Sequence, residues 1–319
     1  MLFQVAGIEV QPWVPPLVSF VLSFFTSMGG ISGAFLLLPF QMSMLGYVNP
    51  SVSSTNQFYN IVAIPSGVWR YIREGRMVWP LTWVVIVGTL PGVFLGAVIR
   101  VRYLPDAHNF KLFAACVLLY IGVRMVRDLL RQREGRASGA AAAEKRFQEQ
   151  VARFCEKAKE RESHGEKLAA VRVMHFSATR IVYEFYGETY NIPTFGILGL
   201  SLIVGVVGGV YGIGGGAIIA PFFVSFFGLP VYTVAGAALM GTFITSVAGV
   251  AFYQAIAPFY PNMSVAPDWL LGFLFGIGGM AGMYLGARCQ KFIPARYIKW
   301  MLAVLLVFLA LKYVQDFLA

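Results

Sequence analysis

The sequence predicts an all-α polytopic membrane protein of two inverted repeats, each with a broken, re-entrant helix followed by three transmembrane helices. Three observations support this. Of 319 residues, 58% are hydrophobic and only 13% charged, which excludes an ordinary soluble globule and a disordered chain alike. Apolar runs of membrane-spanning length recur along the chain. Two of these runs share one pattern and are too long to be single straight spans.

The N-terminal MLFQVAGIEVQPW has neither a basic leader nor a small-residue cleavage site, so it does not read as a removable signal peptide. Helices are expected at 13–46, 52–70, 80–100, 110–127, 194–229, 232–254, 268–287 and 297–315. A straight helix of about 35 residues would reach about 50 Å, against a hydrocarbon core of about 30 Å. Both long runs are interrupted by glycine, at Gly29, Gly30 and Gly33 and at Gly212, Gly214, Gly215 and Gly216, with Pro39 or Pro221 soon after. Each is expected to form two shorter helices meeting at an irregular turn.

The pattern occurs twice because the chain is duplicated. Residues 30–71 align without a gap on 212–253, pairing Gly30 with Gly212, Gly33 with Gly215, Pro39 with Pro221, Gly67 with Gly249 and Tyr71 with Tyr253. After an eight-residue insertion, Gly88, Gly92 and Gly96 match Gly278, Gly282 and Gly286. Shared apolar composition does not put that many glycines and a proline in register.

Charge is segregated. Residues 128–190 hold twelve Lys/Arg and ten Asp/Glu, and the remaining acidic residues, Glu9, Glu74, Asp106, Asp268 and Asp316, lie at or near the ends of apolar runs. No carboxylate is expected mid-membrane, which weighs against a carboxylate proton relay. The net charge of +10 is read as topology rather than nucleic-acid binding. The loop of Arg70, Arg73 and Arg76, the 128–190 insert, and the loop of Arg288, Lys291, Arg296 and Lys299 are expected to face the cytoplasm. The N-terminus, Asn49-Pro50 and the stretch 258–267 should face outward. These assignments agree only if each broken segment enters and leaves on one side, which inverts one half relative to the other; the loop of Arg100, Arg102 and Lys111 then falls outside. Within the insert, 137–169 reads as a solvated helix with i,i+4 charge pairs, and 171–190 as a small strand or hairpin turning at Gly187. It is a connector or a regulatory module.

A helix interrupted in the membrane leaves unpaired N–H groups at the start of its second half, which together with the helix dipole form an anion site without a fixed cation. Close packing of small residues is the competing account, and it is favoured for the small-xxx-small pairs Gly92 with Gly96 and Gly282 with Gly286. The polar stripe Ser53, Ser54, Thr55, Asn56, Gln57 and Asn60 follows the first break. Asn56 and Asn60 share a helix face, and their amides suit either substrate oxygens or interhelical hydrogen bonds. Ala238 and Thr242 are their counterparts, with Thr245 and Ser246 a turn later. Arg70, Arg73, Arg76, Arg124 and Arg127 read as interface anchors. His108, His164 and His175 are isolated, and Cys116, Cys155 and Cys289 lie far apart, so no metal site or disulfide framework is expected. No triad, carboxylate pair or phosphate-binding loop can be assembled, so no enzyme is expected.

GGISGAFLLLPF and its counterpart YGIGGGAIIAPFF, with NQFYNIVAIPSGVWRYIREGRM and GTLPGVFLGAVI, resemble the TauE/SafE, or sulfite exporter, family of permeases. The similarity covers the chain outside 128–190. It implies a multi-pass prokaryotic inner-membrane protein that moves sulfur oxyanions or organosulfonates such as sulfite or sulfoacetate. The polar insert departs from the compact family pattern.

The expected organisation is a first membrane repeat over 1–127, a cytoplasmic charged insert over 128–190 and a second repeat over 191–319. The candidate substrate-binding residues are Gly30, Gly33, Asn56, Asn60, Gly212, Gly214, Gly215, Gly216, Thr242 and Thr245, with Tyr71 and Tyr253 lining the path. No cofactor is expected. The expected partners are the lipid bilayer, a small anionic substrate and, if the protein assembles, further copies in a homo-oligomer. A second class keeps the fold without transport, as a membrane scaffold or sensor signalling through the insert.

Overall fold

The computed structural model describes residues 1–28, 32–73, 77–133, 171–185, 188–216, 218–227, 229, 231–289 and 295–318. The first half comprises α1 (Val14–Met28), α2 (Ala34–Ser43), α3 (Ser51–Ala63), α4 (Pro65–Arg73), α5 (Trp79–Arg102) and α6 (Ala107–Arg133). The second comprises α7 (Thr194–Tyr211), α8 (Ile219–Phe227), α9 (Val231–Ile256), α10 (Trp269–Cys289) and α11 (Ala295–Leu318). Among the described residues six segments are long and apolar enough to cross a membrane: 79–102, 107–127, 194–211, 234–259, 269–286 and 300–317. The protein is an all-α polytopic membrane protein.

Both overlong runs divide at their glycines, into α1 and α2 and into α7 and α8. The start of α2 is held by Ser32, whose hydroxyl accepts from the Ala34 N–H at 3.3 Å, and by the Gly33 carbonyl, which accepts from Leu36 and Leu37. One expected helix is two. The 52–70 run divides at Ile64, whose N–H makes the closing bond of α3 to the Asn60 carbonyl (3.0 Å), because Pro65 has no N–H to continue the ladder. The aligned residue in the second half is Val247, and α9 runs through it unbroken.

Two hairpin-like elements flank the helices. Near the N-terminus, β1 (Leu2–Phe3) pairs with β2 (Ile8–Glu9), burying Phe3, Ala6 and Ile8. Asp268 fastens this hairpin by accepting the Ala6 N–H (3.2 Å) on one carboxylate oxygen and, on the other, the Leu271 N–H (3.0 Å), so that it also caps α10. The helix expected at 137–169 and the turn at Gly187 lie outside the described residues. In place of one strand or hairpin, the chain forms a three-stranded antiparallel sheet of β3 (Val171–Phe176), β4 (Arg180–Phe185) and β5 (Glu188–Pro193). Ile181, Tyr183 and Phe185 alternate onto its buried face, and β5 runs directly into α7.

The helices exchange partners between halves. On α5, a Cβ at Gly92 would penetrate the Leu202 carbonyl of α7, and one at Gly96 would penetrate that of Val206. At the matched positions of α10, Gly282 and Gly286 meet the Phe20 and Phe24 carbonyls of α1 in the same way. Both crossings are therefore backbone-to-backbone, as the small-xxx-small spacing anticipates.

Contacts also fix directions. Leu198 lies by Gly88 and Val206 by Gly96, while Gly241 lies by Val85 and Phe252 by Phe94, so α7 and α9 both run parallel to α5. The chain between them doubles back through α8. By the same reasoning α1 and α3 run parallel to α10, with Pro16 by Gly278, Phe24 by Gly286, Thr55 by Gly272 and Val62 by Gly276. The aligned helices α3 and α9 are antiparallel, since Asn60 meets Ser246 and Gln57 meets Gly249.

Candidate functional site

The second break is built from backbone. Gly212 and Ile213 both donate to the Gly208 carbonyl (2.9 and 3.0 Å), closing α7, and Gly212 and Gly214 are left-handed (φ +79° and +77°), a conformation glycine adopts without a Cβ penalty. The Gly215 N–H donates to the Thr245 hydroxyl at 3.0 Å, and the Ile219 N–H to the Gly216 carbonyl at 3.1 Å. The N–H groups of Gly214 and Gly216 have no acceptor among the described residues. Gly215 packs on Thr89 of α5, 2.5 Å from Thr89 Cβ to an added methyl, and Gly216 packs on Ala238 and Thr242 of α9.

Gly214→Ala tests this geometry. The side chain would be strained at positive φ and sit 2.7 Å from Ser246 Oγ and 2.9 Å from Thr242 Cγ2. The expected cost is about 2 kcal/mol of stability with loss of flux, read by thermal unfolding in detergent and by vesicle transport. Gly199→Ala, where a Cβ meets open space, is expected to change neither.

Asn60 of α3 joins the two breaks. Its Nδ2 donates to the Ile213 carbonyl (2.9 Å) and to Ser246 Oγ (3.4 Å), while its Oδ1 accepts from the Ser32 hydroxyl (3.3 Å). A turn earlier, Asn56 donates to the Ala34 carbonyl (3.0 Å) and accepts from Gln41 (3.5 Å), pinning α2 to α3. Ser53 donates to the Val210 carbonyl at 3.1 Å. All of these side chains are buried.

The structure thus brings Asn60, Gly212, Gly214, Gly215, Gly216, Thr242 and Thr245 together, with Ser32 and Ser246 among them. Thr242 and Thr245 donate to carbonyls of their own helix, Ala238 (2.8 Å) and Gly241 (2.6 Å), so Thr245 offers the Gly215 N–H a lone pair. Gly33 faces the hydrogen-bonded hydroxyls of Tyr59 and Ser23, which are 2.6 Å apart. Gly30 lies outside the described residues. Tyr253 donates to the Gly209 carbonyl (3.2 Å) at the end of α7. Tyr71 is not brought to the breaks; it packs on Gly236 and near Met77. Thr89, one of two buried threonines in the apolar span of α5, escaped the sequence reading.

Among the described residues, the side chains placed against the breaks, Ser32, Ser53, Asn60, Thr89, Thr242, Thr245 and Ser246, are neutral. Arg100, assigned from sequence to an outward loop, is instead buried in the last turn of α5. Its guanidinium donates to the carbonyls of Val48 (3.1 Å) and Leu104 and lies over the Phe110 ring at 3.7 Å. Lys111 pairs with Asp316 at 3.5 Å. Because Thr242, Thr245 and Ser32 spend their hydroxyl protons on Ala238, Gly241 and Asn60, the uncommitted donors beside the second break, among the described residues, are the Gly214 and Gly216 N–H groups.

The architecture is that of a multi-pass membrane protein with two interrupted helices meeting in its interior. The profile of the sulfite exporter TauE/SafE family matches residues 16–313, and the chain belongs to that family of membrane transporters. Neither the curated proteins nor the solved structures give a significant match.

Proposed function

We propose that the protein is a permease that moves a small sulfur oxyanion or organosulfonate through a site near the membrane midplane, between the two helix breaks. The observation that carries this reading is the meeting of both breaks at Asn60, beside the Gly214 and Gly216 N–H groups, which have no acceptor among the described residues. These donors act in a low-dielectric interior, where a preformed dipole substitutes for a cation.

The two halves are inverted repeats, a reading supported by the antiparallel α3 and α9 and by the return of the chain through α8. The insert faces the cytoplasm of a prokaryotic inner membrane, following the positive-inside rule. Burial of Arg100 and pairing of Lys111 with Asp316 reduce the free positive charge at the opposite end, which favours this orientation. Transport follows when one repeat moves against the other and opens the site to alternate sides.

Proteoliposome flux with sulfite, thiosulfate, sulfoacetate and sulfate tests the reading, with and without sodium and pH gradients. Flux of at least one sulfur anion is expected; absence of flux for the whole panel in correctly inserted protein overturns it. Removing residues 137–170 separates this reading from a scaffold or sensor role. The shortened carrier is expected to retain its flux.

A further inference from the structure

Gln57 of α3 is fully buried, yet neither Oε1 nor Nε2 of its carboxamide has a hydrogen-bond partner among the described residues. A buried amide left unpaired at both ends is rare and needs a reason. It shares a helix face with Ser53 and Asn60, four residues before it and three after, and those two side chains hold the second break by its Val210 and Ile213 carbonyls. The amide therefore lies between the two anchors of the break, facing α9. There Gly249 makes room for it: an added Cβ would stand 2.8 Å from Gln57 Cδ and 3.0 Å from Nε2.

The duplication supplies an internal control. The residue aligned with Gln57 is Leu239, the residue aligned with Gly249 is Gly67, and Leu239 meets Gly67 in the other half, 3.5 Å from Cδ1 to an added methyl. Packing at this position is thus satisfied by leucine. The amide is an addition confined to the half that carries Asn56 and Asn60.

We infer that Gln57 is a substrate-binding and specificity-determining residue that selects a monoanion still bearing a proton, with Nε2 donating to an anion oxygen and Oε1 accepting from the anion's own hydroxyl. This rests on the permease reading above. A site with neutral side chains leaves the second charge of a dianion uncompensated in the membrane interior, a large desolvation cost. The amide carbonyl would also oppose a fully deprotonated face. A hydrogensulfite-type ion satisfies both ends of the amide; sulfate carries too much charge, and methanesulfonate has no proton to give.

The experiment measures sulfite and methanesulfonate flux in proteoliposomes with equal pH inside and out, on either side of sulfite's second ionisation. Wild type is expected to lose sulfite flux as pH rises through that ionisation and to carry methanesulfonate poorly throughout. Gln57→Leu, the residue the other repeat already uses, is expected to fold and insert, to lower sulfite flux about ten- to hundredfold and to erase the preference over methanesulfonate. Gly249→Ala, which displaces the amide without removing it, is expected to move selectivity in the same direction. Unchanged selectivity and pH profile in both variants overturns the inference and leaves the permease standing. A wild type that carries no anion overturns the permease and the inference together.

Discussion

Asn60→Leu is expected to abolish flux in a protein that still inserts. The substitution keeps the branched outline of asparagine, with somewhat greater bulk, but removes the donor to Ile213 and Ser246 and the acceptor for Ser32. Stranding a buried polar partner costs about 1–3 kcal/mol, and the Ile213 carbonyl, fixed in the break, has no rotation by which to find another donor. The breaks would then lose the side chain that bonds Ser32 on one and Ile213 on the other, and flux should fall at least tenfold while hydrophobic burial and the contact of Tyr211 with Phe35 still hold the helices together in the bilayer. Asn60→Thr is the companion variant, since threonine stands at the aligned position Thr242; it should recover part of the activity. Wild-type flux in Asn60→Leu would remove the breaks from the transport site.

Gly92→Leu and Gly282→Leu are expected to have a larger and different effect, namely loss of folded protein. Each glycine lies against main chain of the helix it crosses, Leu202 to Val206 for Gly92 and Phe20 for Gly282. A carbonyl cannot swing aside as a side chain can, so a leucine forces the helices apart along their length. The expected penalty exceeds about 3 kcal/mol, the upper end of ordinary overpacking. It should appear as a lowered unfolding midpoint and poor monodispersity in detergent. Gly199→Leu, directed into open space, should behave as wild type.

Much of this was legible in the sequence. A proline and several glycines in register located both interruptions, and the spacing of Gly92 with Gly96 and of Gly282 with Gly286 predicted tight crossings, because small residues at four-residue intervals favour close helix packing in a membrane. What one sequence does not encode locally is which groups meet across the fold. Asn56 and Asn60 were a matched pair by spacing, yet Asn56 is spent on Ala34 and Gln41 within the first half, whereas Asn60 reaches across to Ile213. Gln57 stood in the same stripe without distinction, because its isolation depends on Gly249, far away in the chain. Pro65 was a readable helix breaker, overridden by the apolar run around it. Arg100 was assigned by charge to a loop because nothing local announces that the carbonyls of Val48 and Leu104 await it.

The proline at position 65 has a kinetic corollary. Only one of two otherwise matched arms is jointed, at Ile64, while its counterpart is continuous through Val247, so under the proposed rocking of the repeats the first would flex where the second moves as a stiff lever. Rocking in one direction is then not the mirror image of rocking in the other. The resting population should be skewed to one face of the bilayer, and turnover should be unequal for cargo presented from the two compartments.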